Sequence, residues 1–228
     1  MISGSIVAIV TPMHADGCVD DESLCKLLDW HVESGTDAVV AVGTTGESAT
    51  LNHDEHCEVI GKIIQHVNGR IPVIAGTGAN STSEAVALTR FAAQAGADAA
   101  LLVTPYYNKP TPEGLFRHYS AIAEATPLPI VVYNVPGRTG GNVAPATLMR
   151  LAEHENIVAV KEASGNLEQI MTIVRDRPDG FAVLSGDEPE FAMAMADGGA
   201  LVEELHRHID DAEWQRLKSA FFEESNSS

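Results

Sequence analysis

A lysine closes an apolar run near the middle of the chain. Residues 157–164 read IVAVKEAS, which is typical of a buried strand, and the run ends in Lys161 and Glu162. Removing an ammonium group from water is costly unless the group is paired or loses its proton. A neutral lysine in a desolvated pocket is a nucleophile toward ketones and forms a Schiff base. Taken alone, Lys161 reads more simply as a solvated rim residue or as half of an ion pair with Glu162.

Polar residues that Schiff-base chemistry requires follow other apolar runs. A carbinolamine must lose water, and Tyr133 with Thr44 and Tyr107 could relay the protons. A substrate carboxylate needs donors, which Thr44 and Thr45 can supply at a helix start. Arg138 could clamp a second carboxylate through two parallel hydrogen bonds. The combination favours a lysine nucleophile acting on a ketone-bearing acid.

The apolar runs alternate with segments of helical period, as in βα units around a parallel sheet. We predict seven strands, at 5–10, 38–42, 72–76, 99–103, 130–134, 157–161 and 181–185. Helices are predicted to start after Asp20 or Asp21 and after Asn52. A third start is predicted at Ser81, because Glu84 follows with the spacing of a capping box.

A weak internal repeat supports this reading. Segments 33–47 and 93–107 both run from a helix end through glycine and Asp-Ala into a strand. Gly35 and Gly96 would be the left-handed residues that close those helices. Such units fit a closed (β/α)8 barrel or an open doubly wound sheet. No glycine-rich nucleotide-binding loop follows the first strand, so we predict an α/β fold of the TIM (β/α)8-barrel type.

The end of the chain departs from the repeat. Apolar residues of the segment 201–228 recur at helical spacing, and no eighth strand is recognisable there. We therefore predict a barrel domain over 1–200 that lacks strand eight, followed by a C-terminal helix and tail over 201–228. In such barrels the chemistry lies at the carboxyl ends of the strands.

Charge and cysteine content limit the function classes. The net charge of −18, with a pI near 4.7, argues against nucleic acid or an anionic membrane surface as partner. Cys18, Cys25 and Cys57 are odd in number and lack C-x-x-C spacing, so neither a disulfide framework nor a zinc site is expected. The apolar N-terminus is too short for a signal sequence or a spanning helix. A reducing cytoplasm is the expected location.

Seven motifs carry a family resemblance from the N-terminus to about residue 199: GSIVAIVTPM, GTTGESATL, PVIAGTGAN, TPYYNKP, YNVPGRTG, VAVKEASGN and LSGD. In order and spacing they resemble the dihydrodipicolinate synthase family, also called 4-hydroxy-tetrahydrodipicolinate synthase. The resemblance implies a class I aldolase-like lyase that condenses pyruvate with L-aspartate 4-semialdehyde in the diaminopimelate route to lysine. It implies a covalent lysine Schiff base with no other cofactor and no metal. It also implies a homo-oligomer, either a dimer or a tetramer.

The resemblance assigns roles by position. Lys161 matches the lysine that forms the Schiff base with pyruvate, and Tyr133 matches the general acid and base beside it. Thr44 and Tyr107 would complete the proton relay, with Tyr107 reaching into a neighbouring subunit's site. Thr45 matches a donor to the pyruvate carboxylate, and Arg138 matches the residue that receives the semialdehyde carboxylate. Gly186 matches a backbone contact in the pocket.

A second set of positions matches the lysine effector site of feedback-inhibited family members. It comprises Ser48, Ala49, His53, His56, Asn80, Glu84 and Tyr106. Glu84 and the histidines suit a cationic effector, so inhibition by L-lysine is predicted. The plainer reading is that Glu84 caps its helix and that both histidines are solvated.

Two alternatives stay open. One is another pyruvate aldolase of the same superfamily, such as N-acetylneuraminate lyase or a keto-deoxy-sugar acid aldolase, although Arg138 and the paired tyrosines of TPYYN favour the synthase. The other is a truncated, inactive homologue that keeps the lysine-binding surface. This alternative is supported by the end of the chain. The resemblance implies a strand close to GVISVTAN after Gly199, and no such strand is recognisable here.

Overall fold

Strands and helices alternate along the chain in the computed structural model, which describes residues 2–186. The strands are β1 Ile6–Ala8, β2 Ala38–Ala41, β3 Val73–Gly76, β4 Ala99–Val103, β5 Ile130–Asn134, β6 Ile157–Glu162 and β7 Ala182–Ser185. The helices are α1 Asp21–Glu33, α2 His53–Val67, α3 Thr82–Ala95, α4 Pro112–Ala125, α5 Pro136–Thr139, α6 Pro145–Leu151 and α7 Leu167–Asp176. All seven predicted strands are confirmed, with bounds that differ by at most two residues.

The strands form one parallel sheet in the order β1-β2-β3-β4-β5-β6-β7. A doubly wound sheet reverses its strand order at a switch point. The unbroken order therefore confirms a curled sheet of the TIM-barrel type. Within residues 2–186, β1 and β7 each pair with a single neighbour. The predictions of a missing eighth strand and of a C-terminal helix over 201–228 lie outside the described residues.

The two faces of the sheet carry different cores. Because successive side chains of a strand point to opposite faces, Val39 and Leu102 pack with the helices in the larger cluster. Val40, Leu101 and Tyr133 belong to a smaller cluster on the concave face. The strands are apolar on both faces, as is usual for parallel sheets that are covered by helices.

Helix α2 shows how the outer layer is held. Its fully buried residues Ile60 and Ile63 pack into the larger core, and each contributes about 1.5–3 kcal/mol by burial. Asn52 begins this helix with a capping box, since its side chain accepts from the Glu55 N–H and Glu55 accepts from the Asn52 N–H. Such a residue at the helix start satisfies backbone donors that the helix itself cannot.

The capping box predicted at Ser81 is wrong. Ser81 does precede α3, but its side chain makes no capping hydrogen bond. Its hydroxyl lies 3.0 Å from that of Ser83 instead. The predicted start at Asp20 is confirmed, because the Asp20 carboxylate accepts from the Ser23 N–H.

The glycines of the repeat have the predicted conformation. Gly35 and Gly96 have φ of +79° and +95°, and each follows a helix and leads into the next strand. A side chain is strained in this region of φ, which accounts for glycine at both junctions. Among residues 2–186, every helix is too short or too polar to cross a membrane.

Candidate active site

The β5–β6 pair brings the two main candidate residues together. Tyr133 and Lys161 are direct register partners at the carboxyl ends of these strands. The Lys161 Nζ lies 4.5 Å from the centre of the Tyr133 ring. Tyr133 is 7% exposed, whereas Lys161 is partly buried and so more accessible than the buried lysine we expected. Its place at the end of the strand leaves one side of the chain open.

A register irregularity produces this pairing. Ile130 pairs with Ile157, but Val131 pairs with Ala159, so β6 gains one residue at Val158. Without that extra residue, Tyr133 would lie opposite the residue before Lys161. Bulges of this kind re-aim side chains near active sites.

Glu162 faces away from the site. As the next residue of the strand it points to the helix side of the sheet, where it is 1% exposed. Its carboxylate accepts from the Asn134 side chain and from the Ser164 N–H. Those neutral donors, rather than an ammonium beside it on the concave face, surround this carboxylate.

The loop after β2 brings Thr44 to Tyr133. Both line a small cavity of about 20 Å³, which is room for roughly one water molecule. The loop is anchored from β1, because the Thr11 hydroxyl donates to the Gly46 carbonyl at 2.7 Å. A Cβ at Gly46 would lie 3.0 Å from the Ile9 carbonyl oxygen, so the anchor leaves no room for a side chain. Thr45 is exposed beside Thr44.

Tyr107 is placed differently from the rest of the predicted relay. It is 91% exposed and has a φ of +72°. A ring so exposed is surrounded by solvent and is not packed into the cavity that Thr44 and Tyr133 line. The left-handed backbone turns the loop outward, which the sequence did not indicate.

Gly186 lies against the Lys161 side chain, and Arg138 lies on the helix that follows β5. The Gly186 N–H donates to the Glu162 carbonyl at 2.8 Å. A Cβ at Gly186 would lie 3.0 Å from the Lys161 Cε and 2.8 Å from the Ala163 Cβ. The glycine thus lets the lysine chain pass against the backbone of β7. Arg138 is exposed on α5, which directly follows β5.

The predicted effector residues gather between α2, α3 and the loop after β4. The Asn80 side chain donates to the Tyr106 carbonyl at 3.3 Å. His53 and Glu84 are exposed, and both lie close enough to influence the charge of His56. Ser48 lines the same small cavity as Thr44 and Tyr133, and Ala49 is exposed next to it.

His56 is not solvated, contrary to the plainer reading. It is 5% exposed, and its Nε2 lies 2.7 Å from the Gly76 carbonyl oxygen. A carbonyl only accepts, so Nε2 carries the proton. Burial lowers the pKa of His56, which keeps the ring neutral and leaves Nδ1 as an acceptor.

Sequence reasoning missed two supports of Tyr133. Thr104 is fully buried, and both its hydroxyl and its N–H donate to the Tyr133 carbonyl at 2.9 Å. Asn134 is also fully buried and donates to Glu162. The available signal was their position, because a polar residue beside Tyr133 or at the end of β4 interrupts an apolar run. Across the described chain, no group of three His, Cys, Asp or Glu side chains is arranged to hold a metal ion.

Comparison with known proteins matches this geometry to one family. The model of the dihydrodipicolinate synthetase family matches residues 1–221. A 4-hydroxy-tetrahydrodipicolinate synthase of Cellvibrio japonicus is 59% identical over 199 residues, which are 87% of this chain and 69% of that protein.

Two solved structures have the same fold. The chloride-inhibited dihydrodipicolinate synthase of Acinetobacter baumannii, complexed with pyruvate, superposes with a TM-score of 0.84 at 49% identity, covering 96% of this chain and 80% of that one. The enzyme of Cyanidioschyzon merolae with lysine bound gives 0.82 at 42% identity, covering 96% and 75%. The chain belongs to the dihydrodipicolinate synthetase family, a family of lyases.

Proposed function

We propose that this chain condenses pyruvate with L-aspartate 4-semialdehyde through a Schiff base on Lys161. The observation that carries the proposal is the register pairing of Lys161 with Tyr133, with Nζ 4.5 Å from the ring. A nucleophilic amine and a phenol at this spacing suit imine chemistry. The synthase of Cellvibrio japonicus and the pyruvate complex of the Acinetobacter baumannii enzyme support the choice of reaction.

The first half of the reaction forms the imine. Neutral Lys161 Nζ adds to the pyruvate ketone and gives a carbinolamine. Tyr133 passes a proton to the carbinolamine hydroxyl, which leaves as water, and Thr44 beside the same cavity connects the phenol to solvent. The Thr44 and Thr45 donors hold the pyruvate carboxylate. No metal or separate cofactor takes part.

The second half forms the carbon–carbon bond. Tyr133, left as a phenolate, takes a methyl proton from the protonated imine and gives an enamine. The enamine carbon attacks the semialdehyde aldehyde, and the Tyr133 phenol returns the proton to the new alkoxide. Arg138 receives the carboxylate of that substrate, and the Gly186 backbone contacts the bound pyruvate. Water then releases the product and returns the lysine as a free amine, so the chain is unchanged after one cycle.

The proposed assembly is a homo-oligomer, a dimer or a tetramer, in which Tyr107 completes a neighbour's proton relay. Its support is the 91% exposure of Tyr107, because a phenol that extends into solvent can reach another subunit. The proposed location is the reducing cytoplasm, which suits three free cysteines.

We also propose that L-lysine inhibits the enzyme at the His53, His56, Asn80 and Glu84 cluster. The exposed Glu84 carboxylate can pair with an ammonium group. Neutral His56 offers a second acceptor through Nδ1, since its Nε2 faces the Gly76 carbonyl. The lysine-bound relative from Cyanidioschyzon merolae supports this choice of ligand. Ser48, Ala49 and Tyr106 complete the proposed site.

The test traps the imine. The full chain is incubated with pyruvate and borohydride, and its intact mass and the modified peptide are measured. One pyruvyl adduct on Lys161 is expected, and none is expected for Lys161→Arg, which keeps the charge but cannot form this imine. A folded chain that gives no adduct overturns the proposal and favours the lysine-binding homologue. Faster cleavage of sugar acids than condensation of the semialdehyde would favour the aldolase alternative.

A further inference from the structure

A second residue pair lies directly behind the Lys161–Tyr133 pair. Asn134 and Glu162 are register partners on the same two strands, one residue further along each. They point to the helix side of the sheet, because successive side chains alternate between faces. Asn134 is 0% and Glu162 is 1% exposed. Nothing in the proposed chemistry uses either side chain.

The two side chains join the ends of both strands. The Asn134 Nδ2 lies 3.1 Å from each oxygen of the Glu162 carboxylate. The Asn134 Oδ1 accepts from the Val143 N–H at 3.0 Å. Glu162 accepts from the Ser164 N–H at 2.9 Å. Each side chain therefore fixes the other strand and also the segment that follows its own strand.

A layer of amides closes around this pair. The Asn142 Nδ2 donates to the Gln169 Oε1 at 2.7 Å, and the Gln169 Nε2 donates back to the Asn142 Oδ1 at 3.1 Å. The Gln169 Nε2 also lies 3.5 Å from the Glu162 carboxylate. Through this layer the network reaches α7 and the segment between α5 and α6.

The buried Glu162 carboxylate joins the two strands at a high cost in free energy. Burying a charge is costly unless it is hydrogen-bonded, and apolar residues would join the strands at lower cost. Charge-assisted hydrogen bonds are shorter and more directional than apolar contacts. A network of this type specifies one arrangement of the groups it joins, which is what a site with two reacting groups needs.

We propose that Glu162 and Asn134 are positioning residues that set the distance between the Lys161 amine and the Tyr133 hydroxyl. This inference rests on the proposed function of that site. The pair touches neither substrate nor reacting atoms and acts through the backbone of the adjacent residue on each strand. Its effect therefore falls on the rate of imine formation, because the donors to the pyruvate carboxylate come from the loop after β2.

The primary test replaces one partner at a time. Glu162→Gln places an amide opposite the Asn134 amide, so two donors face each other, and Asn134→Asp places two carboxylates together. The exchange Asn134→Asp with Glu162→Gln restores one donor facing one acceptor between the two strands, but it does not restore the Asn134 donor to the Asn142 Oδ1 at 2.9 Å. Each full-length variant is assayed for the rate of borohydride-trapped imine at saturating pyruvate, for the KM of pyruvate and for the melting temperature.

The expected result is a slower formation of the imine with little change in the KM for pyruvate. Each single variant should form the imine about 10- to 100-fold more slowly, as for a displacement of roughly 1 Å. The KM for pyruvate should change less than about threefold, and the exchange should recover most of the rate. Thr89→Val is the matched control, because Thr89 is fully buried and donates to Thr77 behind β3. It should lower the melting temperature and leave the imine rate unchanged.

The results that would contradict the positioning role differ from those that would contradict the proposed function. Folded single variants with a wild-type imine rate, or an exchange that recovers stability but not rate, overturn the positioning pair alone. A wild-type chain that traps no pyruvate overturns the proposed function and this inference together. If the single variants do not fold, Gln169→Met carries the test. It removes the donor to Glu162 at 3.5 Å and both hydrogen bonds to Asn142, and it leaves the Asn134–Glu162 pair in place. A loss of about threefold in rate is then expected, and no loss overturns the proposal.

Discussion

Two tyrosines that the sequence assigns to one proton relay lie in contrasting surroundings. Tyr133, on β5, is 7% exposed, and its carbonyl accepts two hydrogen bonds from Thr104. Tyr107, in the loop after β4, is 91% exposed and has a left-handed backbone. The contrast indicates that one chain fixes Lys161 and Tyr133 on paired strands, whereas it presents Tyr107 outward.

The backbone also differs between the two regions, because the loop of Tyr107 contains left-handed residues and Tyr133 lies on a regular strand. Residues other than glycine pay about 1–2 kcal/mol to adopt left-handed φ, and both Tyr107 and Lys109 do so. The Asn80 and Asn108 side chains bridge this loop and the loop after β3. Strain that neighbouring contacts hold in place is typical of functional loops, which agrees with a role in recognition for this loop.

The largest effect should come from removing one phenol and not the other. Tyr133→Phe should slow imine formation about 10²- to 10⁴-fold, the usual contribution of a general acid or base. Tyr107→Phe should slow it less than about tenfold, since its ring lies outside the cavity within one chain. Single-turnover trapping with pyruvate measures both rates.

The rates of Tyr133→Phe and Tyr107→Phe could instead fall equally. Equal losses in the two variants would mean that Tyr107 takes part as fully as Tyr133. Repeating the assay across a range of protein concentrations then tells whether a neighbouring chain supplies the ring. A Tyr107 effect that grows as the chain assembles would place the relay between subunits, and one that does not would place it within a chain.

The contact between α3 and α4 is the next point to test. His118 on α4 lies 2.8 Å from the Thr82 hydroxyl at the start of α3, and within residues 2–186 its Nε2 has no partner. Burial lowers the pKa of His118 from 6.5 to about 4. The unfolded chain therefore binds a proton between these pH values while the folded chain does not. Stability is full above about pH 6.5 and is lost as the pH falls toward 4.

Urea unfolding at pH 7 and pH 4.5 measures this loss. The shift corresponds to about 3 kcal/mol at most, so wild type should lose about 2 kcal/mol more than His118→Gln across that interval. His56, whose pKa burial also lowers, contributes in the same direction in both proteins and cancels. An equal loss in the two proteins would show that His118 titrates normally and that a neutral imidazole is not required at its contact with Thr82.

The strands and the meeting of their carboxyl ends were predictable from the sequence, and the reason is local. The run AVVAV from Ala38 is apolar on both faces and begins and ends near glycine, so it could only be a short buried strand. Because parallel strands end at one rim, residues after the strands had to meet there. That reasoning placed Lys161, Tyr133 and Thr44 at one site without knowledge of contacts.

The remaining features depend on three-dimensional facts that no local pattern encodes. The extra residue at Val158, which sets Tyr133 opposite Lys161, is visible only in the register. The burial of His56 depends on the Gly76 carbonyl 20 residues away. The outward position of Tyr107 follows from a left-handed φ in a residue that rarely adopts it.

A smaller effect is expected where Gly186 lies against the Lys161 side chain. Gly186→Ala would place a Cβ 2.8 Å from that of Ala163 and 3.0 Å from the Lys161 Cε. The lysine chain can shift but the Ala163 Cβ cannot, so β7 should move slightly away. The imine rate should fall about tenfold, with a normal adduct on Lys161 by mass. A wild-type rate would show that the rim of β7 is as adaptable as the Tyr107 loop.

The smallest effect should distinguish the two helix starts that carry the proposed lysine site. Asn52→Ala removes two accepted hydrogen bonds from the start of α2 and should lower the free energy of unfolding by about 1 kcal/mol. Ser81→Ala removes none from the start of α3 and should change it by only a few tenths. Paired urea titrations measure the difference. If Ser81→Ala costs as much as Asn52→Ala, its hydroxyl caps α3 in solution, and the Glu84 that follows is held as firmly as the first turn of α2. If only Asn52→Ala is destabilising, Glu84 lies on a first turn whose N–H groups the Ser81 side chain does not cap.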